Sequence, residues 1–402
     1  MTGAPYVERQ EGPEVLWLDN GILRLGLVPS LGGRLLSLRL LSDPDGGELL
    51  WRNDELLTDD LRPRKGHEPK PHEGNLGDWV NYGGDKTWPA PQGWDGPGEW
   101  AGPPDPVLDS GHYTATVEQD TGIDTVAVTL RSGDDPRTGL RLIRRFVLRA
   151  HHCGYRLELT AHNTSARPVR WALWNVTQLS AEGGAGTGGT VVAGPPRVTR
   201  LLSGTGFPGW TELSGDRVFI PHQDVVGKLG FPSATGWLAH LGAGATLTQS
   251  FTVDAGAEYP DAGSRAEVWL ECPLPEPLAE LGDLDPPARI VECEVLGPLT
   301  TLRPGESATL TLDCAVVPGT AMVYEVTRAG HWTRPATIRD GTLTGEFVAY
   351  RDGVLTAGPR EIGVRAGEPV PLRVPVSGEP VLELIDGTGE RVPAGAIRED
   401  GR

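Results

Sequence analysis

Two short stretches near the start decide how this chain folds: ILRLGLV (22–28) and LLSLRLL (35–41). In the first, Leu23, Leu25 and Leu27 alternate with other residues; in the second, Leu36, Leu38 and Leu40 do. A period of two puts each leucine set on one face of an extended strand. Arg34 shares the parity of Leu36, Leu38 and Leu40, so it is expected on the apolar side of its sheet, where it must meet a carboxylate or line a cleft. The same style recurs in TVAVTL, LRLIRRFVL, YRLELTAH, VRWALWNVTQL, TLTQSFTV, AEVWLE, RIVECEV and ATLTLDCAV. Gly, Pro and Asp stand between these runs. By this template about 16 to 18 strands precede residue 320. Helical periodicity is nearly absent; DELLTDDL (54–61) and PLAELGDL (277–284) allow a turn or two each.

So many strands predict an all-β protein with two large antiparallel sheets packed face to face. A boundary is expected in VPGTAMVYEVTRAG, which ends at Gly330. Residues 1–320 would form the sandwich and 321–402 a small β-rich C-terminal module with shorter, Gly-spaced strands.

Among 402 residues, 55 Gly and 36 Pro favour turns, and 38% hydrophobic residues allow a packed core. The net charge of −18 argues against nucleic acid and anionic membranes as partners. No basic segment followed by an apolar run opens the chain, and no stretch reaches the roughly 20 apolar residues of a membrane span. Cys153, Cys272, Cys293 and Cys314 are scattered and read as reduced thiols of a cytoplasmic protein. The histidines show no metal-ligand spacing, and no phosphate loop or dinucleotide fingerprint occurs, so no metal or cofactor is expected. Oligomeric state is not legible.

The segment NYGGDKTWPAPQGW (81–94) reads as a loop rich in chemistry. Trp79, Trp88, Trp94 and Trp100 crowd into 22 residues, beside Asn81, Asp85, Lys86 and Gln92. Indole faces pack on the C–H faces of a sugar, and carboxylates or amides bind its hydroxyls. VRWALWNVTQL (169–179) sets Trp174 and Gln178 on one face and Asn175 and Thr177 on the other. Neither face is wholly apolar, so one should meet water or a ligand. RIVECEV (289–295) sets Glu292 and Glu294 on one face, and AEVWLE does the same with Glu267, Trp269 and Glu271. Neighbouring carboxylates raise one another's pKa, and one becomes suited to act as a general base. His67 and His72, just before the tryptophan cluster, are placed to cover such a site.

The order NGILRLGLVPSLGGRLLSLRL, NYGGDKTWPAPQGW, LTAHNTSARPVRWALWNVTQL, VECEVLGPLTTLRPGES resembles the galactose mutarotase-like (aldose 1-epimerase-like) superfamily, over roughly residues 10–318. More narrowly it is similar to a DUF4380-like bacterial branch with a GGDKxWPAPQ-type loop. The resemblance implies an antiparallel supersandwich with a sugar-binding cleft on one face. It implies a Glu general base on the VECEV strand, Glu294 or else Glu292, and it sets Arg34 in a family-type GGR segment. Asn81 and Tyr82, with Gly83 and Gly84, fall where the family has a substrate loop. At the family's acid position the strand WALWNVTQL has no His. Lys86, Asp85, His67 or His72 would then substitute, or the fold has kept binding and changed its chemistry. Taken with the strand and loop readings, the expected pocket residues are Arg34, Asn81, Tyr82, Trp88, Gln92, Trp94, Trp174, Asn175, Gln178 and Glu271. The expected function is binding of a sugar-like small molecule with epimerase-type proton transfer. The competing readings are a non-catalytic sugar-binding or regulatory protein, and an isomerising or eliminating enzyme of specialised metabolism.

Overall fold

Alternating sequence becomes alternating burial throughout the computed structural model, which describes residues 4–10, 14–42, 47–70, 73–74, 76–93, 98–120, 124–182 and 186–398. Among the described residues twenty-one strands run up to Pro318, more than the strand template counted, because short strands such as Thr211–Leu213 and Thr300–Leu302 carry little pattern. Among the described residues, helix is confined to single turns, including Leu76–Asp78 and Ala279–Leu281.

The strands form two antiparallel sheets, one of 11 strands and one of 10. The first sheet carries the site. Its central strands lie side by side in the order Asp85–Ala90, Val169–Ser180, Ile290–Leu296, Ala266–Glu271, Gly227–Phe231. Segments more than 100 residues apart in the chain, Val169–Ser180 and Ile290–Leu296, are therefore direct neighbours, and Asp85–Ala90 lies one strand further on. The sheets bury a common core that includes Leu25, Leu38, Val128, Leu157, Val268 and Leu312. Full burial of each such side chain is worth about 2 kcal/mol.

Arg34 departs from its expected face. Gly26 pairs with Ser37 but Leu27 with Leu35, so Leu36 is an extra residue in its strand. This bulge reverses parity. Leu35, Leu38 and Leu40 enter the common core, whereas Leu36 joins a separate cluster with Trp17, Leu57, Leu61 and Tyr82 on the outward face. Arg34 precedes the bulge and lies on that outward side.

The DKTWPA part of the expected loop is instead a fully buried strand, Asp85–Ala90. It pairs along its length with Val169–Ser180, but only Asp85 pairs with the strand on its other side. That gives the one-sided setting in which a strand tolerates Pro89.

Beyond Pro318, Glu325–Gly395 build two four-stranded antiparallel sheets around Trp332, Phe347, Leu355 and Leu384. Val323, Val326, Val348 and Tyr350 of this region pack on Val191, Ala239, Leu241 and Val317 of the second sheet. The Tyr350 hydroxyl lies 2.7 Å from Thr248 Oγ1. All four cysteines are free and buried. No helix of the described residues is long and apolar enough to cross a membrane.

Candidate functional site

Strand parity sorts the predicted site residues into two sets. On the inner face, Asp85 bonds Arg144 of the second sheet and accepts from Asn175 Nδ2 at 2.7 Å and Thr177 Oγ1 at 2.6 Å. Thr87 Oγ1 donates to Asn175 Oδ1 at 2.9 Å, and Gln249 Nε2 reaches Thr177 across the sheets at 3.0 Å. Asp85 and Asn175 are thus partners in a network between the sheets in which both Asp85 oxygens have donors, on the face opposite the cavity described next. Arg144 was missed, although its parity with Leu140, Leu142, Phe146 and Leu148 sets a charge in an apolar row.

On the outward face, Lys86, Trp88, Trp174, Gln178, Glu292, Glu294, Glu267, Trp269, Glu271 and Lys228 form one surface. The ladder sets Trp88 opposite Trp174, Gln178 opposite Glu292, and Glu294 opposite Glu267. A cavity of about 230 Å³ opens on this surface, lined by Trp79, Trp88, Trp174 and Trp269, by Gln92, and by Lys228, Glu271 and Glu292. It is smaller than the ~300–1,000 Å³ pockets of drug-sized ligands, which suits a molecule of about one ring. No histidine is among its described lining residues.

Trp88 anchors the wall. Its ring lies 5.7 Å from that of Trp79, 5.2 Å from Trp100 and 5.3 Å from Trp174. Asp109 fixes this arrangement, accepting from Trp79 Nε1 at 2.9 Å, Trp88 Nε1 at 3.2 Å and Arg34 at 2.5 Å. Arg34 thereby positions the wall through Asp109 and does not line the cavity. The GGR motif explains how Asp109 arrives. Gly32 and Gly33 both have positive φ, and a Cβ on Gly32 would lie 1.8 Å from the Asp109 carbonyl oxygen. Only glycine lets the 105–113 loop settle there. No sequence signal marked Asp109.

The polar floor is densely charged. Lys86 Nζ sits 5.4 Å over Trp79 and 5.1 Å over Trp88, 3.6 Å from Glu292 Oε1, with no hydrogen-bond acceptor. Burial lowers its pKa to about 8, against the pull of Glu292. Gln178 Nε2 donates to Glu292 Oε1 at 2.7 Å. Glu294 is fully buried; its Oε2 accepts from Trp174 Nε1 at 2.6 Å and from Lys228 Nζ at 2.8 Å. Lys228 also donates to Glu267 at 3.0 Å and lies 4.5 Å over Trp174. Burial raises the pKa of Glu267 and of Glu294, with Lys228 opposing. Burial would lower that of Lys228, but the two carboxylates outweigh it and hold it raised. Glu271 Oε1 accepts from Trp269 Nε1 at 2.8 Å, while Oε2 has no donor. Burial, then the charge of Glu292, pushes Glu271 up to about 7.

Three further expected residues lie beside this cavity. Tyr82 and His67 line a neighbouring one with Trp79 and Asp109, and the Tyr82 hydroxyl donates to the His67 carbonyl at 2.8 Å. Asn81 lines a third with Trp79 and Glu271, its Oδ1 accepting from Gly83 N at 3.0 Å. Trp94 and His72 lie outside the described residues. No group of three or more His, Cys, Asp and Glu among the described residues is arranged to hold a metal ion.

Residues 14–185 match the family described as "Domain of unknown function (DUF4380)". The stretch contains the GGR motif and the Asp85–Ala90 and Val169–Ser180 strands. Among solved structures, a TPR-domain containing protein from Parabacteroides distasonis is similar at 13% identity and a TM-score of 0.50, over 75% of this chain and 47% of its own. The chain thus spans about half the length of that protein. A galactose mutarotase-like protein from Clostridium acetobutylicum is 10% identical over 78% of this chain and 99% of its own, with a TM-score of 0.48. Another, from Lactobacillus casei, is 13% identical over 75% and 99%, with a TM-score of 0.45. At such identities the likeness concerns the fold. No curated protein matches the chain.

Proposed function

We propose that the protein binds a sugar or sugar-like polyol in the tryptophan-walled cavity and catalyses an epimerase- or mutarotase-type proton transfer on it. One observation carries this reading: four indole rings enclose a floor on which Glu271 and Glu292 both reach the cavity. Flat apolar walls take the C–H faces of a ring, and the carboxylates take its hydroxyls.

Opening and closing a sugar ring needs one group that accepts the anomeric hydroxyl proton and one that donates to the ring oxygen. Two carboxylates in unlike settings divide these tasks. Glu271, with a pKa near 7, carries a proton into the neutral range and serves as donor. Glu292, held by Gln178 and 3.6 Å from the Lys86 amine, serves as acceptor. Glu294 does not line the cavity; bound by Trp174 and Lys228, it acts as a positioning residue.

The test is anomer exchange by NMR across a panel of aldoses, with Glu292→Gln alongside. Turnover should fall about 100-fold or more in the variant while binding persists. It should also decline as pH rises past about 7, as Glu271 loses its proton. Unchanged turnover in Glu292→Gln would remove that residue from the reaction. The absence of histidine from the described lining favours a second reading, sugar binding without catalysis. Tight binding with no exchange for any sugar would select it.

A further inference from the structure

The charges on the cavity floor do not balance. Four carboxylates, Glu267, Glu271, Glu292 and Glu294, share one face with two amines, Lys86 and Lys228, and a fifth, Asp261, lines the cavity from a neighbouring turn. Lys228 is held by Glu267 and Glu294, at 3.0 and 2.8 Å. Lys86 lies 3.6 Å from Glu292. Glu271 has neither amine. Among the described residues its only hydrogen-bond donor is the neutral Trp269 indole, and its second oxygen is buried without a donor while the residue is 4% exposed. A buried carboxylate in that state is costly unless a donor, best a cationic one, arrives.

The walls point the same way. Indole faces attract cations. Two ammonium groups already sit over rings of this cavity: Lys86 over Trp79 and Trp88, Lys228 over Trp174. Among the described residues no cation lies over Trp269, the ring beside Glu271. A neutral hydroxyl would satisfy the free oxygen of Glu271 but bring no counter-charge to it. A primary ammonium supplies the charge and three donors together.

We infer that the ligand of this cavity is a basic sugar, a sugar or cyclitol bearing a primary amine whose ammonium docks on Glu271 beside Trp269. This rests on the binding half of the polyol reading above and narrows its substrate class; the ammonium holds Glu271 ionised, so for such a ligand Glu271 binds and does not donate the proton. An N-acetylated analogue has the same ring but loses the charge, and the site discriminates against it. So does the parent sugar, which offers a hydroxyl where the amine stood.

The experiment is calorimetric titration of the whole chain with D-glucose, D-galactose and D-mannose, their 2-, 3- and 6-amino-deoxy derivatives, and the matching N-acetyl compounds. At least one amine should bind tenfold or more tighter than both its parent and its N-acetyl form. Glu271→Gln should bring that ratio to within threefold of one. In the unmodified protein the ratio should shrink with added salt, a readout that stands even if the variant fails to fold. Parent sugars binding as tightly as every amine would overturn the inference and leave the polyol reading standing. So would a preference that survives Glu271→Gln or ignores salt. Binding of none of the compounds would remove both readings.

Discussion

Asp85 and Glu271 are buried carboxylates on opposite faces of one sheet, and their surroundings differ in kind. Asp85 bonds Arg144, Asn175 and Thr177, and both its oxygens have donors. Glu271 has one indole donor and one bare oxygen. A carboxylate engaged at both oxygens belongs to the fold: it ties the two sheets together and asks for no visitor. An open one is held in place by the rest of the structure and leaves a valence for a ligand. Burial alone therefore does not separate structural from functional charge; the completeness of the partners does.

The contrast breaks most visibly at Asp85. Replacement by Ala leaves Arg144 buried without its counter-ion and should lower stability by about 3–5 kcal/mol in urea unfolding. A loss below about 1 kcal/mol would mean that the inner network is not structural. Next comes Gly32→Ala. Left-handed backbone and a Cβ against the Asp109 carbonyl oxygen should cost about 2–3 kcal/mol. The change should also shift tryptophan fluorescence, because Trp79 and Trp88 both lean on Asp109; an unaltered spectrum would detach the motif from the wall.

Glu271→Gln should behave in the opposite sense to Asp85→Ala. The Glu271 pKa is raised by folding, so the folded state holds more protons between about 4.5 and 7. Stability from this group is complete below the unfolded value near 4.5 and is lost as pH rises through about 7. The amide should therefore match the native protein at pH 4.5 and exceed it by about 1–2 kcal/mol at pH 8. Equal stabilities at both pH values would place Glu271 among satisfied groups. The smallest effect belongs to Thr87→Val, which removes one donor to Asn175 and should cost about 1 kcal/mol with ligand binding unchanged.

Much of this was legible before any coordinates. Parity grouped Glu292 with Glu294, Glu267 with Trp269 and Glu271, and Trp174 with Gln178, because strands keep a strict period of two. It failed at Arg34, where one bulged residue reversed the faces, and at DKTWPA, whose Pro89 hid a strand bonded mainly on one side. Neither face of VRWALWNVTQL was apolar, yet the pattern could not say which one met the cavity. The inner face was polar too, and that became clear only with Arg144 and Gln249 supplied from the opposite sheet. Asp109 was invisible because its role depends on a loop docking against glycines more than 70 residues away.

The packing of Val323, Val326, Val348 and Tyr350 onto Ala239, Leu241 and Val317 has a practical corollary. A version of the chain trimmed near Pro318 would expose a greasy plate on the back of the molecule, and such plates drive self-association. The eight rearmost strands are in that sense a fixed cover, and shortened versions should clump while the two large sheets stay folded.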